Sequence, residues 1–142
     1  MTPSPSRLVL FLFLLHFIHP VHTASKDQWR THSIYQVMID RFAHTDGSTS
    51  FPCNVTDRIY CGGTWKGVRN NLDYIQGMGF DAIWISPISQ NIQGMTGDGE
   101  GYTGYWVTDM TSLNSHFGMS DDLIALSKEV HSRGLPVLFD PD

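Results

Sequence analysis

The chain has 142 residues, with 14 acidic side chains against 9 lysines and arginines, a net charge of −5 and an aromatic content of 12%. That acidic balance lacks the basic face that nucleic acid or an anionic membrane surface would require. The supply of aliphatic and aromatic side chains excludes a disordered chain, and the length suits one small domain.

The first 24 residues, MTPSPSRLVLFLFLLHFIHPVHTA, carry one basic residue, Arg7, then an apolar run from Leu8 to Ile18 and a polar exit ending in the small residue Ala24. This pattern reads as a secretory signal peptide cleaved near Ala24. The rival reading, a membrane anchor, meets an apolar run well short of the ~20 residues that span a bilayer. His16, His19 and His22 recur every three residues and leave with that segment, whereas His32, His44, His116 and His131 show no ligand spacing, so no metal site is read here. Cleavage removes Arg7 and no acid, which takes the net charge from −5 to −6 and leaves residues 25–142 as the mature domain.

Residues 33–42, SIYQVMIDRF, are mostly apolar with β-branched and aromatic members, and predict a buried strand. Residues 43–63 are rich in Gly, Ser, Thr, Asn and Pro and predict a long loop. Within it lie the only two cysteines, Cys53 and Cys61. In a secreted chain this close pair favours a local disulfide, worth about 2.5 kcal/mol by chain entropy, over a metal site that would need further ligands. Asn54-Val55-Thr56 is a glycosylation sequon, which makes Asn54 a candidate acceptor.

Thr64 can cap a helix whose inner face is Trp65, Val68, Leu72, Ile75 and Met78, ending at Gly79. DAIWISP, residues 81–87, follows as a short buried strand stopped by Pro87, and residues 88–118 show no clear period and read as a long loop. Ser120 can cap a second helix with Asp121 and Asp122 in its first turn and Lys128, His131 and Arg133 near its end, where they complement the helix dipole. After Gly134, LPVLFD gives a third buried strand.

The order strand, helix, strand, helix, strand, with strands apolar on both faces, implies right-handed crossovers and a parallel sheet. The links after helices are short, whereas those after the first two strands are long and carry the polar and aromatic residues. The strand C-terminal edge is where such architectures hold their chemistry. A (β/α) barrel fits better than a doubly wound sheet, because no Gly-rich phosphate turn follows the first strand and GDGEG lacks the dinucleotide-binding spacing.

Among the acids, Asp98 and Glu100 come nearest to a carboxylate pair, but a glycine-rich loop gives neither the apolar cover that acid/base work needs, so they read as solvated. Asp121 and Asp122 read as helix N-terminal charges, Asp40 and Asp109 as structural acids, and Trp65 and Trp84 as core. No catalytic residue is assigned. Taken alone, the pair Tyr105-Trp106 reads more readily as packing than as a ligand platform.

SIYQVMIDRFAHTDGST, CNVTDRIYCGGTWKGVRNNLDYIQGMGFDAIWISPI and GYTGYWVTDMTSLNSHFGMSDDLIALSKEVHSRGLPVLFD together resemble the N-terminal part of secreted fungal α-amylases of glycoside hydrolase family 13. The likeness covers essentially all of residues 25–142. It implies an α/β fold in which the chain forms the N-terminal β-α-β-α-β part of a (β/α)8 TIM barrel, a design needing ~250 residues when complete. It implies retaining hydrolysis of α-1,4 links in starch by three carboxylates at the ends of barrel strands four, five and seven, past the third strand where this sequence stops. The expectation is therefore an amylase fragment that is inactive alone.

The resemblance also implies roles. Tyr105 and Trp106 match the family's sugar-contacting pair. Asp140 matches the first residue of the Asp-x-x-x-Asn-His motif and supports the active-site floor, while Pro141 departs from the small apolar residue expected next. Arg58 stands where close relatives place a substrate-contacting glutamine, and Thr103 where a histidine is common. Starch and maltooligosaccharides are the implied partners, calcium the implied cofactor with no ligand named in this chain, and a secreted monomer the implied state. The alternatives are a non-catalytic starch-binding or interaction piece, and another family-13 specificity such as α-glucosidase or glucanotransferase. The first and third strands are expected to leave unpaired sheet edges, an aggregation hazard.

Overall fold

A computed structural model describes residues 25–140. The signal-peptide reading and the departure at Pro141 lie outside the described residues. The chain divides into two compact units, Met1–Arg30 and Thr31–Asp142.

In the first unit the described residues form a single short helix, α1 (Lys26–Trp29). Ser25 closes it with a reciprocal cap: its hydroxyl accepts from the Gln28 amide, and its own amide donates to Gln28 Oε1 at 2.6 Å. Two of the amides that a helix start leaves unpaired are thereby satisfied.

The second unit is built on a parallel sheet of β1 (Ile34–Val37), β2 (Ala82–Ile85) and β5 (Val137–Phe139), in the order β1-β2-β5. Ile34 pairs with Ala82 and Ile83 with Val137, so all three strands run together, as the alternating order of elements requires. Between them lie α3 (Trp65–Asn70) and α4 (Leu72–Gly77), then α5 (Ser120–Ser132). Trp65, Val68, Leu72 and Ile75 of α3 and α4 meet Ile83, Ile85, Leu126, Val130 and Leu135 in one buried cluster. Trp65 and Phe117 meet edge to face, with ring centroids 6.1 Å apart. Each such side chain contributes about 1.5–3 kcal/mol by leaving water.

Several readings of the sequence are corrected. The first strand stops at Val37, and residues Ile39–Phe42 turn into a single helical turn, α2. The turn is set by polar satisfaction: the Ile39 amide donates to Ser86 Oγ at 3.2 Å, and buried Asp40 is swung toward the amides of Cys61 and Gly62. The expected single helix over 65–78 is two, because Asn71 leaves helical geometry (φ −114°, ψ 17°) and its Nδ2 donates to the carbonyls of Gly67 and Gly47. Met78, expected on the inner face, is exposed.

The stretch 88–118 is not all loop. It contains an antiparallel pair, β3 (Ser89–Asn91) and β4 (Val107–Leu113), with irregular register. β3 is polar though mostly buried and β4 is polar and largely solvent-facing, so neither an apolar run nor clean alternation announced them. Ser120 opens α5 as its first residue and does not cap it; the Asp122 carboxylate accepts the Met119 amide instead, at 3.0 Å.

Gly79 and Gly134 end their helices with φ of +88° and +72°, the left-handed conformation that glycine alone adopts without cost. In this sheet β1 and β5 are the edges, and Gln36 and Phe139 on them are exposed, so not every strand is apolar on both faces. Trp65 is fully buried, whereas Trp84 is only half-buried. Among the described residues no helix is long and apolar enough to cross a membrane.

Candidate functional site

The C-terminal ends of the three parallel strands gather Met38, Ser86 and Asp140, and Tyr105 reaches them from the long excursion after β2. Gln36, Val37, Met38, Ser86 and Tyr105 line one open concavity. The Tyr105 hydroxyl donates to Asp140 Oδ2, 35 residues along the chain. That bond to a carboxylate, together with burial and the Asp140 charge, pushes the Tyr105 phenol up to about 12. Tyr105 therefore stays a neutral hydroxyl at any ordinary pH. Tyr105 is 48% exposed and Trp106 38% exposed, so neither is packed into the core as the isolated pair suggested.

The pair is aimed by a residue that sequence reasoning missed. Asn91 is completely buried; its Oδ1 accepts the Trp106 amide at 2.6 Å, and its Nδ2 donates to the carbonyls of Ser89 and Gly104. Gly104, at φ +92°, lies so close to the Pro87 carbonyl that a side chain there would meet it at 2.9 Å. The Tyr-Trp turn is thus bolted to the end of β2. An asparagine in a polar loop gives no sequence signal for such a role.

A second cluster surrounds the bridge between Cys53 and Cys61, whose Cα atoms are 5.5 Å apart. Asp40 accepts from the Cys61 and Gly62 amides and pairs with Arg41 Nε at 2.8 Å. Burial pushes the Asp40 carboxyl above its ordinary value, against the opposing pull of those amides and Arg41. Arg41 also donates to the Ile59 carbonyl, approaches Cys53 Sγ at 2.9 Å and lies 3.9 Å over the Tyr102 ring. Beyond the bridge itself and the reading of Asp40 as structural, none of this was anticipated.

The loop is further clamped to the Tyr-Trp segment. The Tyr60 amide donates to Glu100 Oε2, its hydroxyl donates to the Gly101 carbonyl and receives Asn114 Nδ2, and its ring stacks on His116. Burial, the largest effect, raises the Tyr60 phenol. Glu100 is therefore a clamp and not the solvated acid expected, while Asp98 is exposed. His44 donates from Nε2 to the Cys61 carbonyl, which can only accept, and its ring stacks on Phe51; His32 pairs with Asp81.

Arg58 is exposed and holds φ +52°, the one non-glycine residue with positive φ among those described. Its carbonyl accepts the Glu100 amide, and Gly99 presses so near that an added side chain would strike the Arg58 backbone. These contacts fix Arg58 through its main chain and do not join it to Tyr105, Trp106 or Asp140. Asn54 is exposed; its Oδ1 accepts from the Thr56 amide and hydroxyl, and its Nδ2 donates to Asp57.

Among the described residues the acids offer no assembled acid/base pair. Asp40 and Glu100 are committed as above, Asp109 is held near 2 by the Thr111 and Ser112 hydroxyls, Asp122 closes α5, and Asp121 is exposed. Among the described residues no three His, Cys, Asp or Glu side chains gather as metal ligands, so calcium finds no fitting donor set there.

Residues 36–141 match the family described as alpha amylase, catalytic domain. Alpha-amylase 1 of Lipomyces kononenkoae is 58% identical over 120 residues, which is 84% of this chain and 19% of that protein. An alpha-amylase structure from Malbranchea cinnamomea superposes with a TM-score of 0.79 at 51% identity, covering 83% of this chain and 25% of that one. The alpha-amylase of Geobacillus thermoleovorans, solved in complex with acarbose, gives a TM-score of 0.66 at 43% identity, covering 79% and 23%. The chain thus spans about a fifth to a quarter of the length of these relatives. Matched across three-quarters of its length, and at high identity to fungal enzymes, it belongs to the alpha-amylase catalytic-domain family of glycoside hydrolases.

Proposed function

We propose that this chain forms the first three strands of an endo-acting α-amylase barrel that hydrolyses α-1,4-glucosidic bonds of starch with retention, and that it presents sugar-contacting groups while the reacting carboxylates lie outside the described residues. The observation that carries this is the exposed Tyr105-Trp106 pair, with the Tyr105 hydroxyl on Asp140 at the C-terminal edge of the sheet. An aromatic face packs against the apolar C–H face of a glucose ring, and a neutral phenol fixed by a carboxylate keeps that face in place. Asp140 acts as a floor, orienting Tyr105. Arg58 extends the sugar-binding surface from the cystine loop. In this reading the segment binds sugar and another part of the catalytic domain reacts.

The same reading makes residues 1–24 a signal peptide and 25–142 part of the catalytic domain of a secreted monomer, with Asn54 glycosylated. Calcium enters as the family's cofactor, held by ligands other than those described.

The test is titration of the purified chain with maltoheptaose, followed by tryptophan fluorescence, alongside a reducing-end assay on amylose. Saturable quenching that Trp106→Ala abolishes and Tyr105→Phe weakens, without release of reducing ends, is the expected result. A folded chain with no sugar-dependent signal, or one that cleaves amylose unaided, overturns the proposal.

A further inference from the structure

We propose that the Cys53–Cys61 bridge is a directional thiol-exchange site: a low-molecular-weight thiol adds to Cys61, and Cys53 departs as a thiolate held by Arg41. The two sulfurs share a bond but not an environment. Cys53 Sγ lies 2.9 Å from the Arg41 guanidinium, while Cys61 Sγ has the Ile59 carbonyl oxygen 3.9 Å away. On the Cys61 side the Asp40 carboxylate sits against the Cys61 amide, and the His44 ring meets the Cys61 carbonyl. Negative charge arriving on Cys53 meets a cation; on Cys61 it meets a carbonyl dipole and a nearby carboxylate.

That difference selects the leaving group. In thiol–disulfide exchange the sulfur that leaves fastest is the one whose thiolate is best stabilised, and a neighbouring arginine provides that stabilisation. Arg41 cannot swing away freely, because Asp40, the Ile59 carbonyl and the Tyr102 ring hold its guanidinium in place. The Cys53–Cys61 bond breaks and one sulfur–sulfur bond forms between Cys61 and the incoming thiol. The bond pair stays on Cys53, the thiol's proton passes to solvent, and nothing is oxidised overall. The product is a chain thiolated at Cys61, in which the loop of residues 54–60, Arg58 included, is no longer closed. This chemistry is independent of any sugar-binding role.

The experiment treats the bridged chain with a brief pulse of reduced glutathione at pH 8, quenches with acid, alkylates the freed thiol and locates both groups by peptide mass spectrometry. The expected result is a ~10-fold or greater excess of glutathione on Cys61 in the native chain, falling to a ratio near one in concentrated urea where Arg41 no longer faces Cys53. Arg41→Met should lose the preference and Arg41→Lys retain most of it. If Arg41→Met does not fold, the native and urea ratios of the unaltered chain still decide. A native ratio near one, an excess on Cys53, a preference untouched in a folded Arg41→Met, or a native bridge that resists glutathione altogether overturns the proposal.

Discussion

The two ends of the parallel sheet are built by different means. At the end where helices feed into strands, the turns are short and backbone conformation does the work: Gly79 and Gly134 reverse the chain and little else is needed. At the opposite end, where Tyr105 meets Asp140, order comes from side chains bonding to distant main chain, as in Tyr60 to Gly101, Asn91 to Trp106 and Asp40 to Cys61. The first kind of end is local and robust. The second is a lattice of long-range polar contacts, each of which leaves a buried partner unsatisfied if it is cut.

The largest break comes from the core beneath both ends. Trp65→Ala should cost about 3–5 kcal/mol and bring the chain to the verge of unfolding, read as the denaturant midpoint at unchanged slope. Asp40→Ala should follow, at about 3 kcal/mol, since it strands the Cys61 and Gly62 amides and leaves Arg41 without its counter-charge. Asn91→Ala should cost about 1–3 kcal/mol and, more tellingly, should raise hydrogen exchange at the Trp106 amide while leaving that of Ile83 protected.

The phenol at the site gives a smaller, sharper test. Tyr105 ionises near 12, so a tyrosinate absorbance titration should show a late phase that Asp140→Asn moves back toward 10. The unfolded chain loses that proton first. The Tyr105–Asp140 contribution is therefore complete below pH 10 and disappears as pH rises through about 12. Smallest of all is the contact of Arg133 with Asp73 and Glu129 on the helix side. Because Asp73 is almost fully exposed, Arg133→Met should change stability by less than ~1 kcal/mol, and by still less in high salt.

That contrast also explains what could be read from the amino acids. The β-α-β-α-β order, the buried face of α3 and α4 from Trp65 to Ile75 and both helix-ending glycines follow from periodicity and from residues whose conformational limits are intrinsic. The cystine followed from spacing and composition. Tyr105, Trp106 and Asp140 emerged only through the family resemblance, since an aromatic pair and a terminal acid have no distinguishing local pattern. Asn91, Tyr60 and Arg41 were invisible because their distant partners Gly104, Asn114 and Cys53 lie 12 to 54 residues away, and no local window contains both halves of such a bond. The strand β1 was overextended for the same reason: its end is dictated by Ser86 and Cys61, not by the residues that follow it.

The bond from Tyr105 to Asp140 has a consequence for the order of assembly. Asp140 reaches its place only when its amide joins the Ile85 carbonyl at the far margin of the sheet. A pairing over such separations pays a loop-closure entropy that a local helix does not. The aromatic platform is thus complete only once that strand is paired, and the delayed ionisation of a single ring serves as an optical gauge that β5 has docked.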